Sequence, residues 1–157
     1  MYFRYFNSAE NGQLYESEST IPVSQIGMKI ERKFVSLSID HSTEWTETLA
    51  GLFYDAGMIA YEVNSIDEAK RDLYFLGPYL SLVTISQNIS GDTYATDGDK
   101  LVPFIRTCAP QAKIVEISGG YPIPGVDLMI DKNEFSSAGT EAIINKILQL
   151  IGFMAAK

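Results

Sequence analysis

From residue 34 onward, the sequence alternates between short runs rich in β-branched residues and longer segments with helical periodicity. The clearest run is residues 80–86, which are apolar or β-branched almost throughout and predict a central strand buried on both faces. This alternation is typical of parallel βαβ units and disfavours a β-sandwich or a helical bundle. We therefore predict an α/β domain with a five-stranded parallel sheet and helices on both of its faces.

Signals for helix boundaries follow the first two predicted strands. After the strand at residues 34–39, Ser42 or Thr43 can cap a helix that Gly57 ends. Residues 65–68 form a Ser-x-x-Glu capping box, which begins the second helix. The other predicted elements are strands at residues 58–63, 113–118 and 126–130, and helices at about residues 100–108 and 137–151.

Two connections differ from ordinary crossovers. Residues 119–125 are rich in Pro and Gly and too few for a full helix, so we predict that the fourth crossover helix is shortened or missing. The polar stretch at residues 87–99 is long for a loop in a compact domain, and loops of that length are usually functional or mobile.

Composition excludes several classes of site. The single cysteine excludes an internal disulfide and multi-cysteine metal sites, and the single histidine excludes His-rich metal ligation. A net charge of -8 without a basic cluster argues against nucleic acid or an anionic membrane as a partner. No signal peptide or membrane span is evident, so we expect a cytoplasmic protein. From the cysteine and histidine counts we also expect no metal site, and we expect no cofactor. The loop acids Asp92, Asp97 and Asp99 fit no complete cation-binding motif and are expected to be solvated.

Residues 1–33 lie outside the alternating pattern and divide the chain into an N-terminal extension and a domain at residues 34–157. Asn11-Gly12 favours the tight turn of a β-hairpin. Two interpretations remain open: the extension packs on its own domain, or it is a dimerisation or partner-binding arm. In the second interpretation its aromatic side chains are the contact residues, namely Tyr2, Phe3, Tyr5 and Phe6.

Polar residues lie at the carboxyl ends of four of the five predicted strands. Asp40 follows the first strand, Ser86 and Ser118 end the third and fourth, and Lys132 comes shortly after the fifth. Because the carboxyl ends of parallel strands share one edge of the sheet, where ligands bind in open α/β folds, these side chains define the predicted site.

The sequence around these positions resembles the receiver domain of response regulators. The resemblance covers residues 34–152 and rests on residues 38–42 (SIDHS), on residues 54–68 and on residues 125–135 (GVDLMIDKNEF). It implies the flavodoxin-like fold of CheY-like proteins and a role in two-component signal transduction. Receivers carry an acidic pair after strand one, a phosphorylated Asp after strand three, a Ser or Thr after strand four and a Lys after strand five. Asp40 matches the second acid, Ser118 the hydroxyl residue and Lys132 the lysine.

Two positions depart from the receiver pattern. Ile39 stands in place of the first acid and cannot ligate Mg²⁺, and Ser86 stands in place of the phosphorylated aspartate. A serine with no base beside it is a poor nucleophile. We therefore predict a pseudo-receiver that is not an enzyme, does not depend on phosphorylation and acts through a protein partner or as a homodimer. We expect it to act alone or as the amino-terminal input domain of a transcriptional regulator.

The contact surface of such a domain is predicted away from the usual one. Met129 occupies the position of the family's switch aromatic, three residues before the lysine. Tyr121 and Ile123 lie in the segment that replaces the fourth helix, and we predict that they contact the partner.

Two alternatives come from other functional classes. Ile85-Ser86 in the third strand and residues 117–120 after the fourth faintly resemble cobalamin-binding domains, which would make the chain a small-molecule sensor. Those domains carry Asp-x-His and a following Gly after strand one, whereas Asp40 and His41 are adjacent here. A small hydrolase or transferase is the other alternative, although no pair of base and nucleophile stands out.

Overall fold

A computed structural model describes residues 34–92 and 96–153, and the backbone of residues 6–10, 13–16 and 20–22. The strands are β1 (Phe6–Glu10), β2 (Gln13–Glu16), β3 (Thr20–Pro22), β4 (Val35–Ile39), β5 (Ile59–Val63), β6 (Leu82–Ile85), β7 (Lys113–Ser118) and β8 (Leu128–Asp131). The helices are α1 (Thr43–Ala56), α2 (Ile66–Leu76), α3 (Asp97–Cys108), α4 (Glu134–Ser137) and α5 (Thr140–Leu150), with a 3₁₀ turn at Gly77–Tyr79.

The strands form one sheet in the order β3-β2-β1-β5-β4-β6-β7-β8. The five strands from β4 to β8 are parallel, and their spatial order, counted along the chain, is 2-1-3-4-5. This is the flavodoxin-like order, so the predicted five-stranded parallel sheet is confirmed. Residues 119–127 contain no helix, which confirms the prediction for the fourth crossover.

The N-terminal strands extend the sheet beyond β5. β1 is antiparallel to β2, β2 is antiparallel to β3, and β1 is parallel to β5 with Phe6 opposite Tyr61. This pairing places these strands on the chain's own sheet. The predicted contact residues Tyr2, Phe3 and Tyr5 lie outside the described residues, and Phe6 begins β1.

The sheet separates two apolar cores. Helices α2 and α3 pack on one face, where Leu37 and Ile39 of β4 are buried with Leu73 and Ile105. Helices α1 and α5 pack on the other face in a second cluster that includes Ile117. Burial on both faces explains why the central strands are apolar along their whole length.

The predicted helix boundaries hold at α1 and α2. The hydroxyl of Ser42 accepts a hydrogen bond from the Trp45 amide, and Gly57 ends α1 with φ of 108°. The hydroxyl of Ser65 caps α2 in the same way. The predicted last helix is wrong in one respect: Gly139, with φ of 91°, separates α4 from α5. No helix in the described part of the chain is long and apolar enough to span a membrane.

Candidate functional site

Asp40 is fixed at the carboxyl end of β4. It is 5% exposed, and its Oδ1 accepts a hydrogen bond from the Ser42 amide at 2.9 Å. Its Oδ2 lies 2.7 Å from Nζ of Lys132. Both carboxylate oxygens therefore have partners, as a buried anion requires.

Lys132 reaches Asp40 from the residue directly after β8. Since β6 and β7 lie between β8 and β4 in the sheet, the ion pair bridges the carboxyl ends of four neighbouring strands. The Lys132 amide is bonded to the Ser118 carbonyl at 3.1 Å, and its Nζ lies 5.1 Å from the ring centre of Trp45. These contacts orient the ammonium of Lys132 across the sheet edge. Its position over the indole ring of Trp45 is electrostatically favourable.

The two positions that depart from the receiver pattern lie beside this ion pair. Ile39 is 1% exposed and belongs to the core under α2 and α3, so the first acidic position contributes apolar packing. Ser86, 4% exposed, follows β6, and its amide is bonded to the Ile39 carbonyl at 3.1 Å. The edge therefore offers a hydroxyl at the end of β6.

Ser118 is held by a residue that the sequence analysis missed. Glu116, on β7, is fully buried; its Oε2 accepts a hydrogen bond from the Ser118 hydroxyl at 2.5 Å. Its Oε1 accepts one from the Ile123 amide at 2.6 Å. A glutamate within an otherwise apolar strand run was the available signal, because a buried carboxylate must find donors.

The connection from β7 to β8 is shaped by these bonds. Ile123 is 2% exposed and lies in the core, which speaks against its predicted role as a contact residue. Tyr121, two residues earlier, is 87% exposed. Met129 is half-buried. Of these predicted contact residues, Tyr121 has the side chain most available to a partner.

An open cleft of about 680 Å³ lies above the sheet edge. Its floor includes Ser86, Ser118 and Lys132. Its walls are the segment that follows β6 and the connection from β7 to β8, which contributes residues 119–122 and Pro124. Because this connection forms no helix, the cleft opens directly over the site that the sequence predicted.

The wall that follows β6 is fixed by two acids. Asp99 and Gln87 exchange two hydrogen bonds, from Gln87 Nε2 to the carboxylate at 3.1 Å and from the Asp99 amide to Gln87 Oε1 at 3.2 Å. Asp97 is 9% exposed and accepts the amides of Ile89 at 3.1 Å and Ser90 at 2.8 Å. The expectation of a solvated Asp97 is therefore wrong, because these loop amides require an acceptor. No group of side chains suited to a metal ion occurs among the described residues.

The comparisons with known proteins bear on the fold. No family model matches the sequence, and no curated protein matches it. A CheY-like receiver domain from Methylobacillus flagellatus is 22% identical with a TM-score of 0.56, covering 73% of this chain and 98% of that one.

Two further solved structures are similar. A response regulator from Burkholderia pseudomallei, solved with a phosphorylated aspartic acid, is 19% identical with a TM-score of 0.53 over 74% of this chain and 75% of that one. A structure of CheY6 with the phosphorylated P1 domain of CheA3 from R. sphaeroides matches at 12% identity, with a TM-score of 0.52 over 74% and 97%. The fold is that of CheY-like receivers.

The acid dependence of stability tests the role of Asp97. Burial would raise its pKa, but the hydrogen bonds from Ser90 and Ile89 outweigh that effect and lower the pKa. A lowered pKa stabilises the fold above about pH 4, and this contribution is lost as the pH falls through the folded-state pKa. We expect Asp97→Asn to lower the free energy of unfolding by about 1–2 kcal/mol at neutral pH. The difference should shrink in urea titrations below about pH 4.

The control is Asp55→Asn, which alters an exposed carboxylate on α1. It should leave the free energy of unfolding nearly unchanged at every pH. A difference between wild type and Asp97→Asn that stays constant with pH would contradict the assigned role of the Asp97 carboxylate.

Proposed function

We propose that this chain is a pseudo-receiver, a signalling domain with the receiver fold that works without phosphorylation and through protein contacts in the cytoplasm. The observation that carries the proposal is the hydroxyl of Ser86 at the end of β6, beside a retained ion pair between Asp40 and Lys132. Two charged residues of a receiver site, Asp40 and Lys132, are present, whereas a serine stands where receivers have the aspartate that accepts the phosphoryl group.

Metal chemistry is poorly supported at this edge. Mg²⁺ prefers octahedral oxygen ligation, usually with carboxylates that are free to bind it. Both oxygens of Asp40 already have partners, and Ile39 offers no ligand atom. A phosphoryl group arriving here would lack the cation that offsets its developing charge.

Nucleophilic chemistry is also poorly supported. Oγ of Ser86 accepts a hydrogen bond from the Asn88 amide at 3.4 Å, and in residues 34–92 and 96–153 no carboxylate or imidazole accepts its proton. A serine hydroxyl needs such a base to attack phosphorus. The other hydroxyl, of Ser118, donates to Glu116, so its proton is already engaged.

A protein is the partner that the fold and the surface favour. One similar structure is a complex between a CheY protein and the P1 domain of CheA3, so the proposed context is two-component signalling. On this chain, Tyr121 stands 87% exposed at the rim of the cleft. Large exposed aromatic side chains are enriched at interfaces. The receiver-like neighbours do not favour the cobalamin-type alternative.

A phosphodonor experiment tests the absence of phosphoryl transfer. We expect the full chain, incubated with phosphoramidate and Mg²⁺, to keep its mass in intact-protein mass spectrometry, because Ser86 stands at the acceptor position, Ile39 offers no metal ligand and both oxygens of Asp40 have partners. The Burkholderia pseudomallei response regulator, which has been seen with a phosphorylated aspartic acid, is the positive control. A gain of one phosphoryl group that Ser86→Ala abolishes would contradict the proposal.

Self-association tests the role of Tyr121. We propose that a second copy of the chain is one partner and that Tyr121 lies in the contact. Light scattering at micromolar concentration should then give twice the chain mass of 17.4 kDa, and Tyr121→Ser should shift the protein towards the monomer. Tyr74→Ser, at an exposed tyrosine on α2, is the matched control and should leave the mass unchanged. A wild-type protein with the mass of one chain would reject the homodimer.

A further inference from the structure

The floor of the cleft holds a buried hydroxyl whose proton has no acceptor. Ser86 is 4% exposed and lines the cleft. Its oxygen accepts one long hydrogen bond, from the Asn88 amide at 3.4 Å, and among the described side chains and backbone groups none accepts its proton. Because Ser86 lines the open cleft, its proton is available to an acceptor that enters the cleft.

A second donor lines the same cleft. The ammonium of Lys132 carries three protons, and the one partner recorded for it in the described ranges is Asp40, at 2.7 Å. The Trp45 ring, centred 5.1 Å away, covers part of its surroundings. Protons remain for a ligand in the cleft, which Lys132 also lines.

The neighbouring acceptors are already engaged. The oxygens of Asp40 take the Ser42 amide and the Lys132 ammonium. Those of Glu116 take the Ser118 hydroxyl and the Ile123 amide. The donors on the floor therefore suit a ligand group that accepts hydrogen bonds.

We propose that the cleft binds a carboxylate group noncovalently, with one oxygen accepting from the Ser86 hydroxyl and the other from the Lys132 ammonium. A carboxylate is planar, accepts on both oxygens and donates nothing. Its single charge suits a floor where the Asp40 and Lys132 charges cancel and Asp99 lies in the wall. A more highly charged anion would be repelled more strongly by that wall.

The size of the cleft indicates what carries the carboxylate. A volume of about 680 Å³ is much larger than one carboxylate, and the wall around Tyr121, Pro122 and Pro124 offers apolar surface to a larger body. Two sources share this chemistry: a small organic acid, and an acidic side chain of a bound protein. The inference rests on the proposed function, because it requires Ser86 to remain unmodified.

The test is a titration of the full chain followed through its backbone amide NMR signals. The probes are sodium benzoate and its neutral analogue benzamide, at constant ionic strength maintained with sodium chloride. We expect saturable shifts at Ser86, Gln87 and Gly119 with benzoate and none with benzamide. Equal responses to both probes, or no saturation with benzoate, would overturn the proposal.

Variants localise the binding. Ser86→Ala should weaken benzoate binding roughly tenfold, because it removes a hydrogen bond to a charged group. Ser86→Asp should abolish it, since an internal carboxylate would then occupy the place beside Lys132. Ser136→Ala, at an exposed serine on α4, is the control and should bind as the wild type does. Unchanged binding by Ser86→Asp would overturn the site.

A peptide arm distinguishes the two sources. A blocked hexapeptide with one central Glu is compared with the same peptide carrying Gln. Tighter binding of the Glu peptide than of benzoate assigns the site to a partner's side chain, and the reverse order assigns it to a free acid. If neither carboxylate binds while the chain still resists phosphoramidate, this inference fails and the proposed function stands. Phosphorylation at Ser86 would contradict both the carboxylate site and the proposed function.

Discussion

The carboxylate of Glu116 is the constraint on which the site depends. A charge with no exposed surface is costly unless donors surround it. Here the donors are the Ser118 hydroxyl, two residues along the same strand, and the Ile123 amide, in the connection to β8. The bond from the Ile123 amide to the Glu116 carboxylate holds the connection against the sheet. Ile123 is therefore buried in the core, whereas Tyr121 stays exposed. The connection is too short and too rich in Pro and Gly to form a helix, and these bonds fix its course at the sheet edge.

The ion pair between Asp40 and Lys132 has a different role. It joins the end of β4 to the end of β8 across the two strands between them. Since the carboxylate is nearly buried, removing Lys132 would leave Asp40 with the Ser42 amide as its remaining partner. The pair therefore joins the two strand ends whether or not a reaction takes place there. This explains how a receiver-like edge can be maintained in a chain whose acceptor position is a serine.

The sequence predicted the elements that follow from local pattern. The alternation of strands and helices, the cap at Ser42 and the missing fourth helix all depend on residues close together in the chain. It did not predict the pairing of Glu116 with Ile123 or the burial of Asp97. Both depend on which loop amides donate hydrogen bonds to a carboxylate in the folded chain, and a periodic sequence pattern does not predict those hydrogen bonds. The break at Gly139 was missed because the apolar residues of α5 predict that a helix is present but do not show at which residue it begins.

These features support the proposal that the chain keeps the sheet edge of a receiver without its phosphoryl chemistry. Asp40 is neutralised by Lys132, Ile39 belongs to the core, and Ser86 is a donor. The most direct test is to add beryllofluoride with Mg²⁺, which imitates a phosphorylated aspartate, to the full chain and to record its amide NMR spectrum. The account predicts no saturable shifts at Asp40, Ser86 or Lys132. Saturable shifts at these residues that require both Mg²⁺ and beryllofluoride would contradict it.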